Sequence, residues 1–216
     1  MSGWWVADTL EHGGVVLLFS WAFWVIASIV LHELGHGVAA IRCGDRTPIE
    51  SGHMTLNPLV HMGKWSLIAF AVIGIAWGAM PVNPARFRRG SDDALVAAAG
   101  PAVNLVLFAI CVVLTVLTLI LAPEKTANSM ANIFFMGARL NIVLLVFNLL
   151  PIPPLDGSRI LATYSHGYRR MLMNPQAGSW IMGAFFLIFF FGGQYLWPFA
   201  DHISASAVGL LHSLFS

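Results

Sequence analysis

Residues 14–41 read GVVLLFSWAFWVIASIVLHELGHGVAAI. The run exceeds the ~20 apolar residues that cross a bilayer. Its C-terminal half nevertheless carries His32, Glu33 and His36. A helix puts His32 and His36 one turn apart on one face, where both imidazoles can reach one metal ion. Glu33 sits beside them, placed to take a proton from an attacking water. A charged side chain at the bilayer centre costs roughly 2.5–3.5 kcal/mol. Packing alone leaves that cost uncompensated, so the stretch reads as a metal site inside a membrane helix.

The remainder of the chain supports a membrane setting. Of 216 residues, 58% are hydrophobic and 10% charged, with a mean hydropathy of +0.78. A soluble domain averages about 25% charged residues. The expected fold is an all-α polytopic membrane protein, a single membrane-embedded domain over residues 1–216 with its core at 14–157. The net charge is +1 with no basic run, which gives no reason to expect a nucleic acid partner. Cys43 and Cys111 match no metal or disulfide spacing. Residues 1–14 lack a basic n-region and a cleavage signature, so no signal peptide is expected. Trp4 and Trp5 read as interfacial anchors.

Five apolar segments stand out, at 14–41, 65–80, 94–121, 133–150 and 178–197. They predict about four to five transmembrane helices, with a short irregular or β connection after the first. The segment 65–80 is short and holds Gly74 and Gly78, so it reads as re-entrant or partly inserted. Charge supports this. If it does not cross, Arg42, Arg46, Lys64, Arg86, Arg88, Arg89, Arg159, Arg169 and Arg170 share one side, and the loop at 123–130 holds only Lys125. The positive-inside rule then turns the HELGH end toward the cytoplasmic side. The tail at 203–215 has apolar residues at helical spacing and reads as interfacial.

A second constellation follows the fourth apolar segment, Asn148-Leu-Leu-Pro-Ile-Pro-Pro-Leu-Asp156-Gly157. Pro151, Pro153 and Pro154 force the chain to unwind. Such backbone is tolerated at membrane depth where it is buried in protein or lines a wet cavity. Asp156 can then supply the third ligand that HELGH lacks, or simply cap the following helix. With two spans between them, the C-terminal ends of the first and fourth helices share a membrane face. The third segment opens with Gly100-Pro101-Ala102-Val103-Asn104. Its small residues permit close helix approach, and Asn104 needs a partner in the core.

These motifs, in this order, resemble the site-2 protease family of intramembrane zinc metalloproteases. HELGH, the Gly100–Asn104 motif and NLLPIPPLDG frame about 125 residues. The resemblance is closest to small bacterial members without PDZ or CBS domains. It implies Zn²⁺ on His32, His36 and Asp156, and Glu33 as the base. It also implies that Asn148 helps to position substrate or stabilise an oxyanion, where a bland reading makes it a cap for freed carbonyls. Asn104 is read as structural with a substrate role as the alternative. His53 and His61 are read as solvated surface histidines, with a gate or substrate contact as the sharper possibility. The implied function is cleavage of transmembrane segments of other membrane proteins within the lipid bilayer. The competing function is a non-proteolytic metal-binding scaffold or metal carrier. Glu33 favours the enzyme, because a carrier needs no base after its first ligand.

Overall fold

The computed structural model describes residues 5–215, so Trp4 lies outside the described residues. The chain is all-helical, with no strand among those residues. Helix α1 (Trp5–Arg42) kinks at Gly14, whose φ of 69° is in a region that side chains disfavour. Short helices α2 (Thr47–Glu50) and α3 (Pro58–His61) form the connection expected to be irregular or β. Helix α4 (Gly63–Ile73) ends in a left-handed Gly74, φ 77°. Helices α5 (Asp92–Leu121) and α6 (Glu124–Asn148) follow, then α7 (Asp156–Tyr164) and α8 (His166–Leu172). Helices α9 (Pro175–Phe191) and α10 (Gly193–His212) complete the chain.

Among the described residues, three helices are long and apolar enough to cross a membrane: Gly13–Arg42, Asp92–Leu121 and Glu124–Asn148. The pair Ala177–Phe191 and Gly193–His212, bent by 57°, makes a fourth at most. Four would meet the lower end of the expected range of four to five, and three falls short of it. The molecule is an integral membrane protein.

The segment 65–80 turns back on itself. At the Gly74 turn the chain leaves α4 and returns without regular structure. Ser66 Oγ accepts from the Trp77 N–H at 2.8 Å and donates to the Trp77 carbonyl at 2.7 Å. The Ala79 N–H then donates to the His61 carbonyl at 2.9 Å. Eleven helical residues rise about 16 Å, roughly half a bilayer core. The tip meets the start of α1, where Trp5 stacks on Phe70 with centroids 5.2 Å apart. Trp5 therefore packs into the core rather than standing free as an anchor. Returning, the chain passes Ile29 and Glu33 at Gly78 and reaches Asp45 at Asn83. Nine helical residues from Glu33 to Arg42 rise about 14 Å, so the five steps from Gly78 to Asn83 must be near full extension.

Asp45, fully buried just beyond α1, anchors that return. It accepts from the Asn83 N–H at 2.6 Å and from the Thr47 N–H and hydroxyl at 2.9 and 2.5 Å. Burial alone would raise its carboxyl; these donors, with Arg86 nearby, outweigh it and hold the group below the ordinary carboxylate range.

Two expectations needed correction. Residues 124–130, read as part of a polar loop, form the first turns of α6. Pro123 and the helix-favouring Glu124, Lys125 and Ala127 start the helix directly after α5. The tail at 203–215, read as interfacial, belongs largely to α10. Ala200 and Ser204 of that helix are fully buried, and Ala207, Val208 and Leu211 pack on the main core. An ion pair from Arg139 on α6 to Asp201 on α10 joins it to the bundle. The Arg139 guanidinium also lies 5.7 Å from the Trp197 ring.

Candidate metal centre

Three groups from two distant stretches meet at one buried point. His32 and His36 Nε2 lie 3.0 Å apart. Asp156 Oδ2 lies 3.2 Å from His32 Nε2, and Oδ1 lies 3.4 Å from His36 Nε2. All three residues are buried. Asp156 is the first residue of α7; Leu155 holds the N-cap position and makes no side-chain cap bond. The carboxylate is thus not spent on capping. Gly157 lets the proline loop fold back on itself, since a Cβ there would sit 2.1 Å from the Leu149 carbonyl oxygen. Tyr168 braces the loop by donating to the Pro151 carbonyl at 2.8 Å.

The far nitrogens of both imidazoles fix their protonation. His32 Nδ1 faces Asn104 Oδ1 at 2.6 Å, and His36 Nδ1 faces the Val96 carbonyl at 2.7 Å. Both partners are acceptors, so Nδ1 carries the proton and Nε2 presents a lone pair. Two lone pairs and a carboxylate pointed at one another repel unless a cation sits among them. Asp156 Oδ2 is moreover buried without a hydrogen-bond donor. Gly100 keeps the space open: a Cβ there would lie 2.5 Å from both Nε2 atoms. Two imidazoles and a carboxylate suit Zn²⁺ with one position left over. The set fits the metal.

Glu33 is buried one residue after His32. A Cβ on Gly78 would lie 2.8 Å from its Oε1, so the returning segment brushes past the carboxylate. Gly35 lets α5 approach, since a Cβ there would sit 2.9 Å from the Ala99 carbonyl oxygen. Asn104 Nδ2 donates to Asn141 Oδ1 at 2.9 Å. Asn141 donates in turn to Ser28 Oγ at 3.0 Å and the Gly137 carbonyl at 2.9 Å. All three are fully buried, so one polar chain ties α1, α5 and α6 behind the imidazoles.

The other residues singled out from sequence lie as follows. Asn148 is the last residue of α6, and its amide donates to the Leu144 carbonyl at 2.9 Å. His53 is partly exposed with Nδ1 3.0 Å from Ser51 Oγ. His61 is buried, not a solvated surface histidine as the default reading had it. The chain packs it beneath the hairpin at Ala79. Sequence reasoning missed Ser28 and Asn141; a fully polar amide within the apolar stretch 133–150 was the available signal for Asn141.

The sequence pattern of Peptidase family M50 matches residues 20–123 and 116–192. Three similar proteins bear the name "Putative zinc metalloprotease". YwhC of Bacillus subtilis is 34% identical over 200 residues, covering 88% of this chain and 90% of that protein. Rip2 of Mycolicibacterium smegmatis is 35% identical over 187 residues, covering 82% and 69%. Rip3 of Mycobacterium tuberculosis is 33% identical over 155 residues, covering 72% and 31%. No solved structure matches the chain. With the donor set described above, these similarities establish that the chain belongs to peptidase family M50, the site-2 protease family, and is a zinc metalloprotease.

Proposed function

We propose that the chain is an intramembrane endopeptidase that cleaves transmembrane segments of other membrane proteins. It works as one membrane-embedded protease domain over 1–216, core 14–157, with the site nearer the cytoplasmic face of a bacterial or archaeal membrane. The observation that carries this is the burial of His32, Glu33, His36 and Asp156 together, three of them on a helix long enough to span a bilayer.

Zinc held by His32, His36 and Asp156 supplies a Lewis acid that activates water and polarises a peptide carbonyl. Glu33 takes the proton of the attacking water and returns it to the leaving nitrogen. Asn104 and the Val96 carbonyl keep the two imidazoles in the ligating tautomer and orientation. A substrate helix hides its carbonyls in internal hydrogen bonds and must unwind to be cut. The irregular stretches at 52–57 and 151–155, and the extended return at 78–82, can receive an unwound segment by backbone pairing. Among the described residues, the backbone groups of Gly78, Met80 and Val82 make no hydrogen bond.

The test compares wild type with Glu33→Gln on a panel of purified single-span proteins in liposomes. The variant should keep one zinc per chain and lose about 10²–10⁴-fold in cleavage rate. Near-normal turnover overturns the mechanism, and zinc flux across the vesicles in place of cleavage establishes a carrier. For Asn148 we propose the oxyanion role, in which its amide exchanges the Leu144 carbonyl for the substrate oxygen. Asn148→Ala should then keep its zinc and lose roughly 10²–10³ in kcat. Loss of folding with activity falling only in proportion assigns it to the helix end instead.

A further inference from the structure

His61 sits at the mouth of the hairpin and has one nitrogen committed and one not. Its ring is 3% exposed. Nε2 lies 2.6 Å from the Thr55 carbonyl oxygen, so Nε2 carries the proton and donates. Nδ1 is therefore an acceptor, and it is buried with no protein donor. Leaving such an acceptor unpaired shifts a folding equilibrium by a factor of roughly 5–150.

The position of the ring tells what would pair with it. The His61 carbonyl holds the Ala79 N–H at 2.9 Å, and Gly78 next to it lies against Glu33. An acceptor beside the base cannot bind a carbonyl or a carboxylate; it needs a donor. An unwound transmembrane segment has mostly apolar side chains, so its available donors are backbone N–H groups released from the helix. An N–H beside the scissile bond must find an acceptor or remain unpaired in a dry site.

We infer that His61 is a substrate-contact residue whose Nδ1, closed off in this structure, accepts a hydrogen bond from a backbone N–H of the unwound substrate once the adjoining limb at Gly78 and Ala79 moves aside. The inference rests on the proteolytic reading above. The Nε2–Thr55 bond serves to fix the tautomer and aim, and His53, with its ring 6.3 Å away, stands on the outer side of the same connection.

The test uses apolar peptides ending in a hydroxamate, a zinc-binding group, as probes of the zinc-loaded protein. Each backbone N–H of the peptide is replaced in turn by an ester oxygen, which deletes one donor. In wild type one ester position should weaken binding about tenfold. His61→Gln can keep a donor to Thr55, but its amide oxygen lies one carbon beyond the Nδ1 position and leaves that position without an acceptor. It should hold one zinc per chain, unfold near the wild-type temperature, bind the parent peptide about tenfold more weakly and ignore that ester. His61→Asn, with an oxygen near the Nδ1 position, should regain most of the binding. A flat ester scan in wild type overturns the inference whatever the variants do, as does the same ester sensitivity in His61→Gln. Zinc-loaded wild type that binds no hydroxamate at all refutes the protease reading itself.

Discussion

Asn104 shows how a single buried amide sets the chemistry of a ligand it does not share. It is fully buried, accepts from His32 and donates to Asn141. Its oxygen fixes which imidazole nitrogen is free for the metal, and its nitrogen cannot turn round because Asn141 holds it. Asn104→Ala should leave the fold intact and lower zinc affinity about 10–100-fold, read by competition with a chelator. Unchanged affinity would mean that packing alone orients His32. The histidine pair was legible because its spacing is local: an i, i+4 pair shares a face in any helix. That Asn104 needs a partner was also legible from its apolar surroundings. That the partner is His32 was not, because two residues 72 positions apart meet only when α1 and α5 pack. His61 was misread for a similar reason. A polar stretch around it suggested solvent, but α3 packs against α1 and α4 and buries it.

The same division holds for whole elements. The hairpin was foreseeable because 65–80 is too short and too rich in glycine to span. The bent pair α9 and α10 was not, because an unbroken apolar run conceals a break at Gly192, a residue of no fixed meaning in sequence. The opening of α5 is decisive for the site. Gly100 faces both imidazoles, and Pro101 removes a backbone donor and loosens the turn around it. Gly100→Ala would put a methyl 2.5 Å from both Nε2 atoms, where the metal belongs. We expect purified Gly100→Ala to carry less than a tenth of the wild-type zinc while staying folded by circular dichroism. Full occupancy would show that α5 can move away from α1, and that the close approach is not what shapes the centre.

For the molecule as a whole, the arrangement in the bilayer follows from the hairpin. His61 and Ala79 are bonded to each other, so both limbs of the hairpin begin and end at one level. Cysteines placed at Lys64 and Arg86 should be modified from the same side of sealed vesicles by an impermeant thiol reagent. Labelling from opposite sides would overturn both the topology and the grouping of basic loop residues behind it. Whole-molecule sidedness is an expectation from charge, since the arginines in the connections are sparse and clustered, and this labelling decides it. The docking of α10 was not readable, since the Arg139–Asp201 pair that holds it joins positions with no shared motif.

The donor set has a history as well as a geometry. Two ligands are synthesised at positions 32 and 36 and the third only at 156, after α5 and α6. During translation the first helix leaves the insertion machinery with two imidazoles and without Asp156, and a two-ligand pair is expected to hold zinc loosely. The cage closes only once both later spans are laid down and the proline loop has turned back. Metal capture is thus expected late in biogenesis, with the ion a clasp on a finished assembly rather than a seed for it. A nascent chain arrested before residue 156 would stay harmless to its neighbours in the membrane until it was complete.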